Sequence, residues 1–182
     1  MPDRQAARQA TKSVTVRTAT LDDCAAINAI YNFYVHTSPA TFDYEAMTEE
    51  WRANWFAAHQ RDALPVLVAE AEGEVAGWCS LTAWSPKPAY RSTADESIYI
   101  ADAQRGRGVG RALVSAIVAE AQAREIDVVM AVVVASQAAS LGLHRSLGFE
   151  DSALNLHMGY KLGSWHDVVT LQRHLWRERG DR

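Results

Sequence analysis

The stretch ADESIYIADAQRGRGVGRALVSAIVAEAQAR, residues 94–124, decides how the rest of the chain is read. Ser97-Ile98-Tyr99-Ile100 is a short β-branched and aromatic run, which predicts a strand. Three alternating glycines, Gly106, Gly108 and Gly110, then predict a tight turn. Val109, Leu113, Ile117 and Ala121 follow at helical spacing. Without Cβ atoms the turn lets a ligand approach the backbone. Its N–H groups converge with the first free N–H groups of the helix into a concavity of positive partial charge. Arg105, Arg107 and Arg111 add formal charge around it. The turn suits a phosphate or a pyrophosphate.

Two common nucleotide motifs do not fit. A P-loop needs G-x-x-x-x-G-K-[ST], and Gly106 is followed five residues later by Arg111. A dinucleotide fingerprint needs G-x-G-x-x-G, whereas this turn reads G-x-G-x-G. Asp127 lies about twenty residues on, where that fingerprint wants an acid, but it precedes the next strand instead of ending it.

With 182 residues the chain fits one domain with a full-sized core. A net charge of -4 argues against a nucleic-acid partner, which needs a basic face. No apolar run reaches the ~18 residues of a membrane span, and no signal-peptide pattern is present, so a cytoplasmic protein is expected. Cys24 and Cys79 follow no disulfide pattern and read as buried apolar side chains. His36, His59, His157, His166 and His174 show no metal-ligand spacing, so no metal site is expected.

Around the opening stretch the pattern predicts a flexible leader over 1–13 and a first strand over 14–17. A helix capped by Thr20 follows, with Ile27, Ile30, Tyr31 and Tyr34 on its apolar side. A loop over 36–42 leads to a second helix from about Thr48, with Trp51, Trp55 and Phe56 facing the core. Strands are expected over 64–71, 74–83 and 128–134, and a short helix over 137–147. Two last strands, near 149–158 and 167–175, flank a loop over 159–164. The domain is expected to run from 14 to 176, with a tail over 177–182. This order describes a single-domain α/β fold with a mixed central sheet flanked by helices.

The glycine turn leading into an apolar helix resembles the acetyl-coenzyme A pyrophosphate loop of the GNAT superfamily of N-acetyltransferases. Other stretches resemble its phosphinothricin and methionine sulfone (L-amino acid) N-acetyltransferase subgroup. These are Thr18-Ala19-Thr20-Leu21-Asp22-Asp23, Ala40-Thr41-Phe42, Ala89-Tyr90-Arg91-Ser92-Thr93 and Leu143-His144-Arg145-Ser146-Leu147-Gly148-Phe149. The most specific is Gly159-Tyr160-Lys161-Leu162-Gly163-Ser164-Trp165-His166-Asp167-Val168. The resemblance spans residues 14–175 and implies the GNAT fold.

The resemblance implies transfer of an acetyl group from acetyl-CoA to the primary amine of a small molecule, a free amino acid or an analogue. It assigns the pantetheine arm and acetyl carbonyl to the backbone of Ile98, Tyr99 and Ile100. It assigns the pyrophosphate to Arg105, Gly106, Arg107, Gly108, Val109, Gly110 and Arg111. Gln137 stands where the family has a cofactor-binding asparagine. Register places Asp95 at the subgroup's catalytic glutamate, with Glu96 beside it as the alternate. A strand alternates faces, so only one of the two can point at the amine. His144 stands where many members have a residue that protonates the thiolate; a hydrogen-bonded structural histidine is the other reading. Ser85 and Lys87 replace the subgroup's R-x-R, a loss of planar bidentate recognition. Arg91, Tyr90 and Ser97 complete the expected substrate set. A homodimer is expected from the same resemblance. A protein N-acetyltransferase and a non-catalytic acyl-CoA-binding module remain open as alternatives.

Overall fold

The computed structural model describes residues 14–180; the expected leader over 1–13 lies outside the described residues. Seven strands form one sheet in the order β1-β2-β3-β4-β5-β7-β6. They are β1 (Thr15–Thr18), β2 (Val66–Ala71), β3 (Glu74–Ala83), β4 (Thr93–Ile100), β5 (Val128–Val134), β6 (Glu150–Lys161) and β7 (Ser164–His174). The helices are α1 (Cys24–Thr37), α2 (Glu49–Arg61), α3 (Val109–Ala123), α4 (Ala138–Ser146) and the short α5 (Leu175–Arg179). Every neighbouring pair is antiparallel except β4 beside β5, which needs the crossover that α3 supplies.

Each face of the sheet has its own core. On one face Val109, Leu113, Ile117 and Ala121 of α3 bury their stripe against Cys79, Leu81, Val129 and Ala131. On the other, Ile27 and Ile30 of α1 and Phe56 of α2 cover Val66, Val68 and Trp78. Cys24 and Cys79 are both free and buried. Thr48 caps α2 by accepting the Trp51 N–H at 3.1 Å.

Three expectations need correction. Trp51 is exposed, and the buried face of α2 runs instead through Arg52, Phe56 and His59. The Arg52 guanidinium is 2% exposed and lies 4.7–5.5 Å from the ring centres of Tyr31, Trp51, Trp55 and Trp78. Arginine is weakly hydrated and stacks on aromatic faces, so a cation can lie on the buried face of α2. The expected loop over 159–164 is a hairpin turn of two residues, Leu162 (φ 50) and Gly163 (φ 78). Two consecutive positive φ values match the twist of the flanking strands, and Leu162 gave no turn signal. Finally, the strand expected over 167–175 starts earlier, at Ser164, and gives way at Leu175 to a short helix.

Gly77 on β3 lets α3 lie close to the sheet. A Cβ there would sit 2.9 Å from the Tyr99 carbonyl oxygen and 3.2 Å from Leu113 Cδ1. Backbone cannot yield as a side-chain end can, so Gly77→Ala is expected to cost about 1–3 kcal/mol. A urea midpoint equal to that of the parent would contradict this packing.

Candidate active site

The parallel ladder between β4 and β5 is short. It pairs Thr93 with Val128 and ends where Glu96 meets Ala131. Beyond that point 97–100 of β4 stay paired to β3, and 132–134 of β5 stay paired to β7. The two strands part, and a cavity of about 470 Å³ opens between them. That volume lies in the range of small-molecule sites, about 300–1,000 Å³.

Ser97, Ile98, Tyr99 and Ile100 line one wall, and Val132, Val133 and Val134 line the other. Gly106, Gly108 and Gly110 line the end where α3 begins, together with Arg105 and Arg111. Gly106 and Gly108 hold φ values of +74 and +87, with nothing within 4 Å of an added Cβ. Glycine is needed there for backbone conformation, not for room. Gly110 is the reverse case, since a Cβ would lie 2.9 Å from Leu143 Cδ2. The free N–H groups at the start of α3 and two guanidinium groups therefore face an open concavity. A pyrophosphate fits it.

Two residues expected at this cradle turn away from it. Val109 is buried in the core. Arg107 lies 3.6 Å from Glu72 on the surface and does not line the cavity. Arg111 lines the cavity and also donates to Ser146 Oγ at 2.9 Å, tying α3 to α4. Gln137 lines it too, and its Nε2 donates to Ser38 Oγ at 3.3 Å. That contact links the start of α4 to the residue that ends α1.

Asp95 and Glu96 are not at a strand end; both sit inside β4 and line the cavity. Alternation sends them to opposite faces. Asp95 shares its face with Ser97 and Tyr99, toward α1 and α2. Tyr99 is stacked on Trp78 at 5.1 Å and meets Tyr31 edge-on at 5.0 Å. Glu96 shares its face with Ile98, toward α3 and α4, and there it meets His144. Oδ1 of Asp95 is buried without a hydrogen-bond partner. Burial first, and the nearby Glu96 charge second, push its pKa up to about 7. Glu96 Oε1 lies 2.6 Å from His144 Nε2, and His144 Nδ1 lies 2.7 Å from the Ser140 carbonyl oxygen. Burial opposes charge on the His144 ring. The Glu96 hydrogen bond and charge, with the Ser140 carbonyl, outweigh it and raise the pKa.

The expected substrate residues are divided. Ser97 lines the cavity, whereas Ser85, Lys87, Tyr90 and Arg91 lie on the connection between β3 and β4, outside it. Tyr34, Ala40, Ser140 and Leu143 line the cavity without having been expected there. Tyr34 fell on a helix stripe that reads as core, and the others carry no chemical signal. Among the described residues no three histidine, cysteine or acidic side chains gather as a metal group, and no helix is long and apolar enough to cross a membrane.

The fold agrees with the comparisons. Residues 27–149 match the acetyltransferase (GNAT) family. The chain belongs to the GNAT acetyltransferase family. It is 38% identical to an L-methionine sulfoximine/L-methionine sulfone acetyltransferase of Pseudomonas paraeruginosa, over 90% of this chain and 95% of that one. It is also 38% identical to the phosphinothricin N-acetyltransferase of Alcaligenes faecalis, over 96% of this chain and 89% of that one. A Salmonella typhimurium acetyltransferase solved with its cofactor acetyl-CoA superposes with a TM-score of 0.87 at 36% identity. That match covers 89% of this chain and 94% of the other. The protein is thus an acetyl-CoA-dependent GNAT N-acetyltransferase. Acetyl-CoA, when bound, supplies a thioester carbonyl that an amine can attack.

Gly108→Val forces a β-branched side chain into a left-handed conformation at the first turn of α3. Titration calorimetry is expected to show acetyl-CoA binding weakened by about tenfold or more, given a strain of about 1–3 kcal/mol. Parental affinity would remove the cradle from the cofactor site.

Proposed function

We propose that the protein acetylates the α-amino group of a free amino acid or an amino-acid analogue of the methionine sulfone, methionine sulfoximine or phosphinothricin type, with Asp95 as the base. The observation that carries this is the half-buried Asp95 carboxylate, its Oδ1 buried and unpartnered and its pKa raised to about 7, at a cavity that fits the cofactor. The α-ammonium group of a free amino acid is protonated at neutral pH, and a carboxylate with its pKa near 7 is better matched to take that proton than one near 4. The named substrates of the two relatives support the amino-acid class. Backbone groups of Ile98, Tyr99 and Ile100 border the cleft where the pantetheine arm would lie.

The catalytic domain is proposed to run from 14 to 176, in a cytoplasmic enzyme; two free buried cysteines suit a reducing compartment. We also propose a homodimer. The sheet ends on β6, an edge strand that exposes Leu154, Leu156, Met158 and Tyr160, with Trp165 beside it. A long apolar edge invites covering. Sedimentation is expected to give a dimer at micromolar concentration; monomer alone would refute it.

A thiol-release assay with acetyl-CoA against methionine sulfone, methionine sulfoximine, phosphinothricin and the common amino acids tests the substrate class. Turnover of at least one is expected, and silence across the panel with peptides acetylated instead would overturn it. Asp95→Asn is expected to lower kcat/KM by about 10²–10⁴-fold. In the parent, kcat/KM falls as pH drops through about 7, because the protonated carboxyl cannot accept the amine proton. Stability moves the other way. A carboxyl whose pKa is raised in the folded state binds more protons there than in the unfolded chain, so stability falls as pH rises from about 4 to about 7. Asp95→Asn is therefore expected to melt higher than the parent at pH 8, and an unchanged or lower Tm would contradict the buried carboxylate.

A further inference from the structure

Neighbours on β4, Asp95 and Glu96 differ in one respect. Both have a bare buried oxygen, Oδ1 of Asp95 and Oε2 of Glu96, but the other oxygen of Glu96, Oε1, is engaged by His144. His144 is 0% exposed, and both its ring nitrogens are occupied. A carbonyl oxygen can only accept, so the Ser140 carbonyl fixes a proton on Nδ1. Two states of the pair then remain, an imidazolium against a carboxylate or a neutral imidazole against a carboxyl. Each holds one proton between Nε2 and Oε1, and each has zero net charge. Neither nitrogen is left to face a leaving group.

The surroundings of Glu96 make that neutrality matter. Asp95 adjoins it along the strand, Cys79 on β3 bears on it as a neutral thiol whose pKa burial raises well above its ordinary value, and its cross-strand neighbours Leu81 and Ala131 are apolar. Among the described residues, His144 is the cationic group paired with Glu96. A charge on Glu96 is felt at Asp95 from the neighbouring strand position and disfavours its ionisation. Asp95 must ionise to act.

We propose that His144 is a positioning residue whose contact with Glu96 cancels that charge and leaves Asp95 as the one carboxylate free to serve as base. The proposal rests on the reading of Asp95 as the base. His144 thereby acts through Glu96 and Asp95, not as a proton donor to sulfur.

Three variants of the full chain test it, through the pH profile of kcat/KM with a turned-over amino acid. His144→Gln bares the Glu96 charge and is expected to move the acid limb up by about one unit or more, with about tenfold lower kcat/KM at pH 7. Glu96→Gln leaves a neutral side chain where the pair was already neutral and is expected to keep the limb within about half a unit of the parent. The double variant is expected to recover most of what His144→Gln loses, because no charge is left to cancel. A double variant as slow as His144→Gln overturns the proposal, since His144 would then be needed for itself. Should His144→Gln fail to unfold cooperatively, Glu96→Gln alone decides, and an acid limb moved down by a unit or more overturns the proposal, since the Glu96 charge was then not cancelled.

Nitrogen-15 NMR of histidine-labelled protein reads the pair without catalysis. A His144 ring that keeps both protons through pH 8 in the parent, and becomes a neutral Nδ1–H tautomer in Glu96→Gln, is the expected result. A ring titrating near 6.5 in both overturns the pairing. Asp95→Asn at parental rate would instead overturn the base assignment, leaving the nitrogen shifts to report the pair separately.

Discussion

The site depends on one interruption in the hydrogen bonding of the sheet. The ladder between β4 and β5 ends at Glu96 and Ala131, while each strand keeps its other neighbour. Unpaired backbone groups are costly when buried and useful when they face a ligand. The splay places such groups on a cavity wall and points the cavity at the first turn of α3, where further N–H groups have no partner. A cofactor with an amide-bearing arm and a pyrophosphate satisfies both sets. The crossover through α3 makes this geometry, because a parallel pair cannot be joined by a hairpin.

The same strand carries the electrostatics. Asp95 and Glu96 are adjacent in sequence, and alternation puts them on different faces with different company. Glu96 finds a buried histidine, and Asp95 lies between Thr82 and Met130 with Oδ1 unpartnered. One carboxylate is therefore bonded to a buried histidine, and the other has its pKa raised by desolvation. Arg52 completes a contrast on the α1 and α2 face. It is a buried cation that meets ring faces and the Asn28 side chain in place of a carboxylate, and burial lowers its pKa.

The hairpin of β6 and β7 reaches back across the molecule to shape the far side of the cavity. Lys161 is buried, and its Nζ donates to the Thr41 carbonyl oxygen at 2.6 Å. The Tyr44 hydroxyl donates to the Tyr160 carbonyl, and the Phe42 ring lies where a Cβ on Gly159 would go. These contacts hold the segment between α1 and α2, which includes the cavity residue Ala40. The stretch 159–168, the most specific part of the family resemblance, thus positions a loop as well as forming a turn.

Much of this was legible in residues 94–124. Glycines at alternate positions before an apolar helix can do little else than turn the chain and bare its N–H groups, so strand, cradle and helix followed from local chemistry. Register and resemblance also brought out Asp95, Glu96 and His144. Their division of labour was not legible, because Glu96 and His144 lie 48 residues apart and meet only when α4 packs on the sheet. The Leu162-Gly163 turn and the ring-stacked Arg52 escaped for a similar reason, since tertiary packing overrode what each residue type prefers alone. Lys87 and Arg91 carried charge suited to a carboxylate, yet the segment that holds them with Ser85 and Tyr90 lies beyond the cavity. Sequence by itself determined the elements and the chemical groups. Tertiary structure decided which groups meet, because burial and distance set their charge.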